Sequence, residues 1–393
     1  MSAIEDALDD CLAAGEVGLQ VAAYLDGELV VHACAGRVGP TPDAAEVTAD
    51  TLFPILSAVK ALTAVAVHVQ AERGLLAYEQ PVAQLWPEFG ANGKASVTIA
   101  DVLCHRAGIP QLPAGTTVER IADWEGICGA LAALAPAYRP GTANAYHALS
   151  WGFVLGEVVR RSDPERRPFG AFAREEICAP LQIDDLWIGI PPTVNARVAE
   201  VVAASYPGPP ARLAPLRAAA VPPELGPPHV FQNDPAFRQA CIPAGNGIST
   251  ARSLARLYAL LAGGGTLDGV TLLSPSRVAW CAQPRPGFAA RDLVTGDVSP
   301  VGRGGFQLGR PPAPATVDAV VGGAPGSLWH PGGGGTYAWA DRRSGLAVAI
   351  CHNRLVPAHA GSEGCGRRPL FAPLADALRA VAGIVGAPAG SAR

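Results

Sequence analysis

Apolar residues fill most of residues 52–68, and two polar side chains, Ser57 and Lys60, lie near the start of this run. Pro54 suits the first turn of a helix, and no further Pro or Gly occurs before Gly74. The pattern predicts one helix that carries both polar side chains close to its N-terminus.

The two ends of the chain have strand patterns. Residues 17–25 and 29–34 are mainly apolar, and Asp26-Gly27 between them is a strong hairpin signal. Residues 3–15 before them have the apolar spacing of a helix. Beyond residue 300 the pattern predicts four strands and a closing helix, at 305–309, 327–330, 336–340, 346–351 and 369–383.

The middle of the chain has helical patterns. The predicted helices are at 97–103, 117–135, 146–161, 168–182 and 249–261, with shorter helical pieces at 75–87. The segment 191–243 is dense in proline, which favours an ordered loop or a mobile flap over a cleft.

Strands at both ends around a helical middle predict an α+β fold, in which one antiparallel sheet is built from both termini and flanked by helices. We expect a discontinuous sheet domain from residues 1–60 and 290–393, and a mainly helical inserted domain from residues 61–289. The active cleft is then expected at the junction of the two domains.

The composition indicates a globular protein. Of 393 residues, 49% are hydrophobic and 16% charged, and the formal net charge is −4. The arginines form no basic stripe, so nucleic acid is not an expected partner. The N-terminus is acidic and no apolar run of about 18 residues follows it, so we expect a soluble cytoplasmic protein with no membrane partner.

Nine cysteines are dispersed along the chain, and no Cys-x-x-Cys pair occurs. Dispersed cysteines with apolar neighbours are typical of buried free thiols. No His-x-x-x-His or similar spacing of metal ligands is present either. We therefore expect no disulfide framework, no metal site and no cofactor.

Ser57 and Lys60 lie on one face of the predicted helix, with Cβ atoms about 5–6 Å apart. The chain has only two lysines, Lys60 and Lys94. A buried amine has its pKa lowered and can act as a base, which an arginine cannot. The pair predicts a serine nucleophile beside a lysine base, although these two residues alone also fit a lysine that snorkels from an amphipathic helix.

Two further segments suit the same chemistry. Tyr146 follows a Pro-Gly-Thr turn at residues 140–142 and lies where a loop enters a predicted helix, so that its phenol either points into the cleft or packs in the core. Residues 329–336 read Trp-His-Pro-Gly-Gly-Gly-Gly-Thr, and glycines on a strand let a substrate approach backbone N–H groups closely. No Lys-Ser/Thr and no helix follow these glycines, which excludes a phosphate loop.

Together, Ser57-x-x-Lys60, Tyr146 and the glycine-rich segment resemble the serine β-lactamase and penicillin-binding superfamily, in particular its class C and family VIII esterase branch. The resemblance covers nearly the whole chain and implies a β-lactamase/transpeptidase-like fold. Three further segments match in order and spacing: Asp101–Pro110, Pro140–Thr142 and Asn246–Tyr258.

The resemblance implies an acyl-enzyme on Ser57. Lys60 and Tyr146 would share the proton transfers: one accepts the Ser57 proton, and Tyr146 relays it to the leaving group and later activates water or an acceptor alcohol. The backbone N–H groups of Ser57 and Gly333 would form the oxyanion hole. The expected substrate contacts are His330, Gly332, Trp329 and His147.

Structural alternatives stay open for two of these contacts. His330 fits a structural role as well as substrate binding, and Trp329 fits packing at the strand edge. His105 and Arg106 are interpreted as structural.

The sequence departs from the family pattern at two positions. The Tyr-x-Asn element reads Tyr-His-Ala at 146–148, so the amide that usually contacts the substrate side chain and the lysine is missing. The Lys-Thr-Gly element reads His-Pro-Gly at 330–332, and a largely neutral histidine holds a carboxylate less well than a lysine. Both departures favour esterases and transacylases over β-lactamases and D-amino-acid peptidases.

We therefore expect a serine hydrolase that cleaves carboxylic esters, with a small-molecule ester or amide as the acyl donor. The main alternative is a transacylase that moves the acyl group to an amine or alcohol in natural-product biosynthesis, with the 191–243 segment excluding water. A third hypothesis is a sensor that is acylated once and does not turn over.

Overall fold

The computed structural model describes residues 3–203, 215–310, 318–321, 326–355 and 370–384. Within these ranges the strands are β1 (Gly18–Leu25), β2 (Glu28–Gly36), β3 (Phe53–Leu56), β4 (Leu186–Ile188), β5 (Val202–Ala203), β6 (Gly247–Ser249), β7 (Thr266–Leu267), β8 (Val270–Thr271), β9 (Gln307–Leu308), β10 (Leu328–Pro331), β11 (Tyr337–Asp341), β12 (Leu346–His352) and β13 (Arg354–Leu355).

The α-helices of the same ranges are α1 (Ala3–Ala13), α2 (Lys60–Glu72), α3 (Val82–Leu85), α4 (Ile99–Leu103), α5 (Val118–Ala122), α6 (Trp124–Ala133), α7 (Ser150–Ser162), α8 (Phe169–Ala173), α9 (Pro215–Ala220), α10 (Pro228–Phe231), α11 (Pro235–Gln239), α12 (Ala251–Ala262), α13 (Pro275–Cys281), α14 (Asp318–Val321) and α15 (Ala372–Val381). None of them is long and apolar enough to cross a membrane.

The main sheet is six-stranded and antiparallel throughout, in the order β2-β1-β12-β11-β10-β9. Both ends of the chain contribute strands, because β1 pairs with β12 along its length. The predicted α+β architecture is therefore confirmed. Eight of the nine cysteines lie in the described residues as free thiols, and Cys365 lies outside them.

Helices cover both faces of this sheet. The terminal helices α1 and α15 form one core with one face, and α12 packs on the other face against β1, β11 and β12. Because α12 falls within residues 61–289, the segment predicted to be the helical domain also supplies a helix to the sheet. The domain boundaries at residues 60 and 290 stay a prediction.

Helix α2 lies at the centre of the molecule. Its first twelve residues, Lys60–Ala71, are all buried, and it packs against α7. Its buried residues are mainly apolar and lie on every side of the helix, which is typical of a helix in the interior of a protein. The apolar segment of residues 52–68 therefore contributes most of the central helix, and this helix fixes the position of Lys60.

Pro54 does not begin this helix as predicted. It lies in β3, which pairs with β6 in a second sheet of order β3-β6-β4. Proline is tolerated in a short strand of this kind because β3 is at the sheet edge. The chain then enters a short 3₁₀ turn, Ser57–Val59, before α2 starts at Lys60.

Two predicted helix starts are confirmed by their caps. Thr98 forms a capping box with Asp101 at the start of α4. The Thr250 side chain accepts a hydrogen bond from the Ser253 N–H at the start of α12.

Other predicted boundaries are wrong. The helix expected at 146–161 begins only at Ser150, because tertiary hydrogen bonds to Tyr146 and His147 hold the preceding backbone in a loop. The helix expected at 117–135 is divided into α5 and α6 at Asp123. The proline-rich segment contains the short helices α9, α10 and α11, each beginning at a proline, which favours the first turn of a helix.

Candidate active site

Ser57 stands at a strained junction between β3 and the 3₁₀ turn. The preceding residue, Leu56, has φ 48° and ψ −128°, a conformation that costs a residue with a side chain on the order of 1–3 kcal/mol. Strand β6 holds the junction in place, since Leu56 pairs with Gly247. A Cβ on Gly247 would lie 2.3 Å from the Cβ of Val59, so only glycine allows this approach. The result is a partly exposed serine at the start of a buried helix.

Lys60 is 1% exposed and makes three short contacts. Its Nζ lies 3.1 Å from the Oγ of Ser57, 2.8 Å from the Ala148 carbonyl oxygen and 2.6 Å from the Ala244 carbonyl oxygen. Burial lowers the pKa of Lys60 well below its usual 10.5. A neutral amine has two N–H groups for the two carbonyls, and its lone pair is then directed at the Ser57 hydroxyl. The geometry therefore suits a base acting on Ser57.

The other lysine has a different set of partners. Lys94 is fully buried, and its ammonium donates to the carbonyl oxygens of Ala91, Ala132 and Leu134. Three carbonyl acceptors match the three N–H groups of an ammonium, so Lys94 fastens a loop to the end of α6. The scarcity of lysine in the sequence therefore does not by itself separate the lysine beside Ser57 from a structural lysine.

Tyr146 approaches the same two residues from the loop before α7. The Nζ of Lys60 lies 4.9 Å from the centre of the Tyr146 ring. Burial raises the pKa of the Tyr146 phenol above its usual 10, and a hydrogen bond with Ser57 offsets part of that rise. The phenol is therefore protonated at neutral pH. The structure brings Ser57, Lys60 and Tyr146 together, as the sequence predicted.

Gly333 lies on the turn after β10, close to the side chain of Leu56, the residue before Ser57, and is exposed. Within the described residues, no acceptor is recorded for the backbone N–H of either Gly333 or Ser57. Ser57 is the first residue of its 3₁₀ turn, where N–H groups have no partner within the turn. Both N–H groups can therefore donate to an oxygen that arrives with a substrate.

Two adjacent glycines here differ sharply in the space around them. A Cβ on Gly332 would lie 2.4 Å from the backbone oxygen of Ile55, whereas a Cβ on Gly333 would lie 3.6 Å from Leu56. Gly332→Ala is expected to push β10 away from the nucleophile, to cost about 1–3 kcal/mol of stability and to reduce activity. Gly333→Ala keeps its N–H group and is the matched control, expected to retain both. Thermal unfolding and ester hydrolysis measure the difference, and equal behaviour of the two variants would contradict this account of the turn.

His330 lies on the inner face of β10, with its ring centre 6.4 Å from that of Tyr146. It is 2% exposed, and its Nδ1 lies 2.8 Å from the Pro331 carbonyl oxygen, which requires a proton on Nδ1. Burial, with a smaller effect from the charge of Lys60, lowers the pKa of His330 to about 3. His330 is therefore a neutral ring at the site, with a lone pair on Nε2.

Two of the predicted substrate contacts do not lie at the site. Trp329 is 1% exposed and belongs to the core under α1 and α15, because successive residues of β10 point to opposite faces of the sheet. His147 is buried, and both of its ring nitrogens are used: Nε2 accepts from the Ile109 N–H, and Nδ1 lies 2.5 Å from the Ala145 carbonyl oxygen. The structure therefore assigns Trp329 to the sheet core and His147 to the support of the Tyr146 loop.

His105 and Arg106 support the same loop, as interpreted from the sequence. The Nδ1 of His105 accepts a hydrogen bond from the His147 N–H, and Arg106 donates to the Asn144 side chain over 2.7 Å. The His105 ring also lies against the Tyr146 ring, with their centres 5.0 Å apart.

Several contributors to the site were missed in the sequence. The carbonyls of Ala148 and Ala244 hold Lys60, and every residue type has a carbonyl, so no sequence signal exists for them. The Ala148 carbonyl contacts the lysine at the position where the family pattern has an amide side chain.

Asp292 was also missed: it is buried and accepts a hydrogen bond from the Tyr146 N–H over 2.9 Å. It lies in a loop without hydrophobic periodicity.

The sequence profile of the Beta-lactamase family matches residues 4–364. The chain belongs to the beta-lactamase family. This family membership confirms the resemblance drawn from the Ser57-x-x-Lys60 element and the segments that follow it.

Relatives in this family carry esterase and penicillin-binding names. The "Esterase/beta-lactamase LipL" of Mycobacterium tuberculosis is 35% identical over 88% of this chain and 80% of its own. The solved structure of a family VIII carboxylesterase is 30% identical, with a TM-score of 0.85 over 96% of each chain. A penicillin-binding protein homologue from Caulobacter crescentus is 32% identical, with a TM-score of 0.84 over 96% of each chain.

Proposed function

We propose that the protein is a serine acyl hydrolase that cleaves uncharged carboxylic esters through an acyl-enzyme on Ser57. The observation that carries the proposal is the set of contacts around Lys60. The carbonyl oxygens of Ala148 and Ala244 accept hydrogen bonds from a buried amine, and the Ser57 hydroxyl lies 3.1 Å from the same nitrogen. Burial lowers the pKa of this amine and so favours a neutral base beside the nucleophile.

Each proton has a place to go in this scheme. The neutral Lys60 amine accepts the Ser57 proton as the oxygen attacks the ester carbonyl, and the N–H groups of Ser57 and Gly333 stabilise the oxyanion. Protonated Tyr146 donates its proton to the departing alkoxide and regains one from the Lys60 ammonium. Water then attacks the acyl-enzyme and gives its proton to Lys60. The Lys60 ammonium returns this proton to the Ser57 oxygen as the acid product leaves, which restores the starting state of the site.

The choice of an ester substrate rests on His330. Its neutral ring lies where the family pattern has a lysine, so the described site lacks the cation that binds a β-lactam or peptide carboxylate. Ala148 likewise has no side-chain amide for a peptide-like substrate. The names of the similar proteins support the same substrate class, since they include a family VIII carboxylesterase and an esterase/beta-lactamase.

His330→Lys tests this explanation. A cation at this position is expected to lower KM for an ester that bears a free carboxylate about tenfold relative to an uncharged ester, because a charge-assisted hydrogen bond contributes about 1.5–3 kcal/mol. His330→Gln is the control, since it keeps a neutral hydrogen-bonding group and should leave the preference unchanged. Steady-state kinetics on a matched pair of esters gives the answer, and an unchanged preference in His330→Lys would contradict it.

The function itself is tested with a short-chain p-nitrophenyl ester, with and without an amine or alcohol acceptor. We expect steady release of p-nitrophenol without an acceptor. Release only in the presence of the acceptor would overturn hydrolysis in favour of acyl transfer. A single stoichiometric burst would instead indicate a protein that is acylated once.

A further inference from the structure

The loop of residues 287–297 is fastened to the segment that carries Tyr146. The Asn144 side chain donates to the Gly287 carbonyl over 2.7 Å, and the Leu293 N–H donates to the Asn144 carbonyl over 2.9 Å. The loop thus lies directly against the backbone of the residues that lead into Tyr146.

Asp292 makes the closest connection. It is 2% exposed, and its Oδ1 accepts three backbone hydrogen bonds: from Tyr146 at 2.9 Å, from Val294 at 2.9 Å and from Thr295 at 3.1 Å. Two of these close its own turn, and the third fixes the Tyr146 backbone. The other oxygen, Oδ2, is buried and has no hydrogen-bond partner among the described residues.

We propose that Asp292 is a positioning residue for Tyr146, which holds the phenol against Ser57 through the backbone hydrogen bond and places a buried carboxylate beside that backbone. The inference rests on the proposed function, because it deepens the role given there to Tyr146 as the proton donor to the leaving group. Asp292 itself does not touch a reacting atom.

The two effects have separate physical origins. The hydrogen bond acts on geometry, since Tyr146 lies in a loop whose helix begins only at Ser150. The charge acts on the proton, since a nearby anion disfavours a phenolate. Asp292 raises the pKa of Tyr146 in addition to the larger effect of burial.

Other groups also face the Tyr146 ring. Lys60 lies 4.9 Å from the ring centre, the rings of His105 and His330 have centres 5.0 Å and 6.4 Å away, and the Ser57 hydroxyl forms a hydrogen bond with the phenol. Burial lowers the pKa of both histidines below 6.5, so both are neutral near pH 7. Among the described residues, Asp292 is the carboxylate whose charge acts on this tyrosine.

The effect of the charge is tested in protein that carries 3-fluorotyrosine in place of Tyr146. The ¹⁹F chemical shift of this residue, measured across a pH titration, gives the pKa of the phenol. Asp292→Asn keeps an oxygen that accepts the Tyr146 N–H but removes the charge. We expect it to lower the pKa of the fluorinated phenol by roughly half a unit or more. Asp297→Asn is the matched control, because Asp297 is an exposed carboxylate of the same loop and should leave the titration unchanged.

The geometry is tested by kinetics on the unlabelled protein. Asp292→Ala removes the acceptor and is expected to lower kcat on the order of tenfold to a hundredfold with little change in KM, because the phenol is displaced. Asp292→Asn should restore most of that kcat. If the amide does not fold, Asp292→Ser provides an uncharged oxygen for both measurements.

An unchanged ¹⁹F titration in Asp292→Asn, or a kcat in Asp292→Ala equal to that of Asp297→Asn, would overturn the inference. The NMR measurement needs no turnover. If Asp292→Asn lowers the pKa of the phenol as expected but the native protein hydrolyses no ester, the proposed function alone is overturned. If the native protein hydrolyses the ester but Asp292→Asn leaves the pKa unchanged, this inference alone is overturned.

Discussion

Ser57→Ala is expected to reduce kcat/KM for a p-nitrophenyl ester on the order of 10⁴- to 10⁶-fold, the loss typical of removing a nucleophile. The methyl group of alanine fits where Ser57 is, so the fold should be retained. Lys60 and Tyr146 would then surround a site that still binds ester but has no oxygen to accept the acyl group. Steady-state kinetics and thermal unfolding on the same preparation measure the two quantities.

Ser276→Ala is the control for this variant, because Ser276 is an exposed serine on α13. It is expected to hydrolyse the ester like the unmodified protein. Ser57→Ala protein that keeps more than about a hundredth of the activity would contradict the assignment of the nucleophile.

Lys60→Met is expected to reduce kcat about 10²- to 10⁴-fold, the usual contribution of a general base. Methionine fills a similar volume but cannot accept the Ser57 proton. Lys60→Arg should be as inactive, because a guanidinium stays protonated at any pH that the protein survives. The kcat of both variants for the p-nitrophenyl ester is the measurement.

The second lysine provides a matched comparison. Lys94→Met leaves three buried carbonyls without their donor, and we expect it to cost on the order of 2–4 kcal/mol of stability while the folded protein keeps its kcat. A large loss of kcat in Lys94→Met, or full activity in Lys60→Met, would contradict the distinction between the two lysines.

Lys60 should also give stability a pH dependence of known sign. Its pKa is lowered by folding, so between the folded pKa and 10.5 the unfolded chain binds more protons at this position. The contribution of Lys60 to the free energy of unfolding therefore rises with pH across that window and is unfavourable below it. The difference in unfolding free energy between the native protein and Lys60→Met should show this slope.

The helix after Ser57 and the terminal strands were predictable because each follows from periodicity or from a local signal, and strands at both ends of the chain predicted one sheet built from both termini. Asp26-Gly27 between two apolar segments gave the β1–β2 hairpin, and Thr98 gave the start of α4. Pro54 was misinterpreted because a proline suits both a helix start and a short edge strand, and only the pairing with β6 decides between them.

Ser57, Lys60 and Tyr146 were accessible from the sequence because their chemistry is rare and their spacing is characteristic. Trp329 and His147 were misplaced because adjacency in sequence does not specify a face. Trp329 is next to His330 on a strand whose successive side chains point to opposite faces of the sheet. Trp329 therefore lies in the core under α1 and α15, whereas His330 lies near Tyr146. Asp292 could not be predicted from the sequence, because it is 146 residues from Tyr146 in the chain and only the fold brings the two into contact.

The most direct test of the account is the mass of the protein after brief exposure to an ester or a fluorophosphonate, followed by peptide mapping. The account predicts one adduct per chain, located on Ser57, and a much slower appearance of that adduct in Lys60→Met. An adduct on another residue, or one that forms at the same rate without the Lys60 amine, would contradict it.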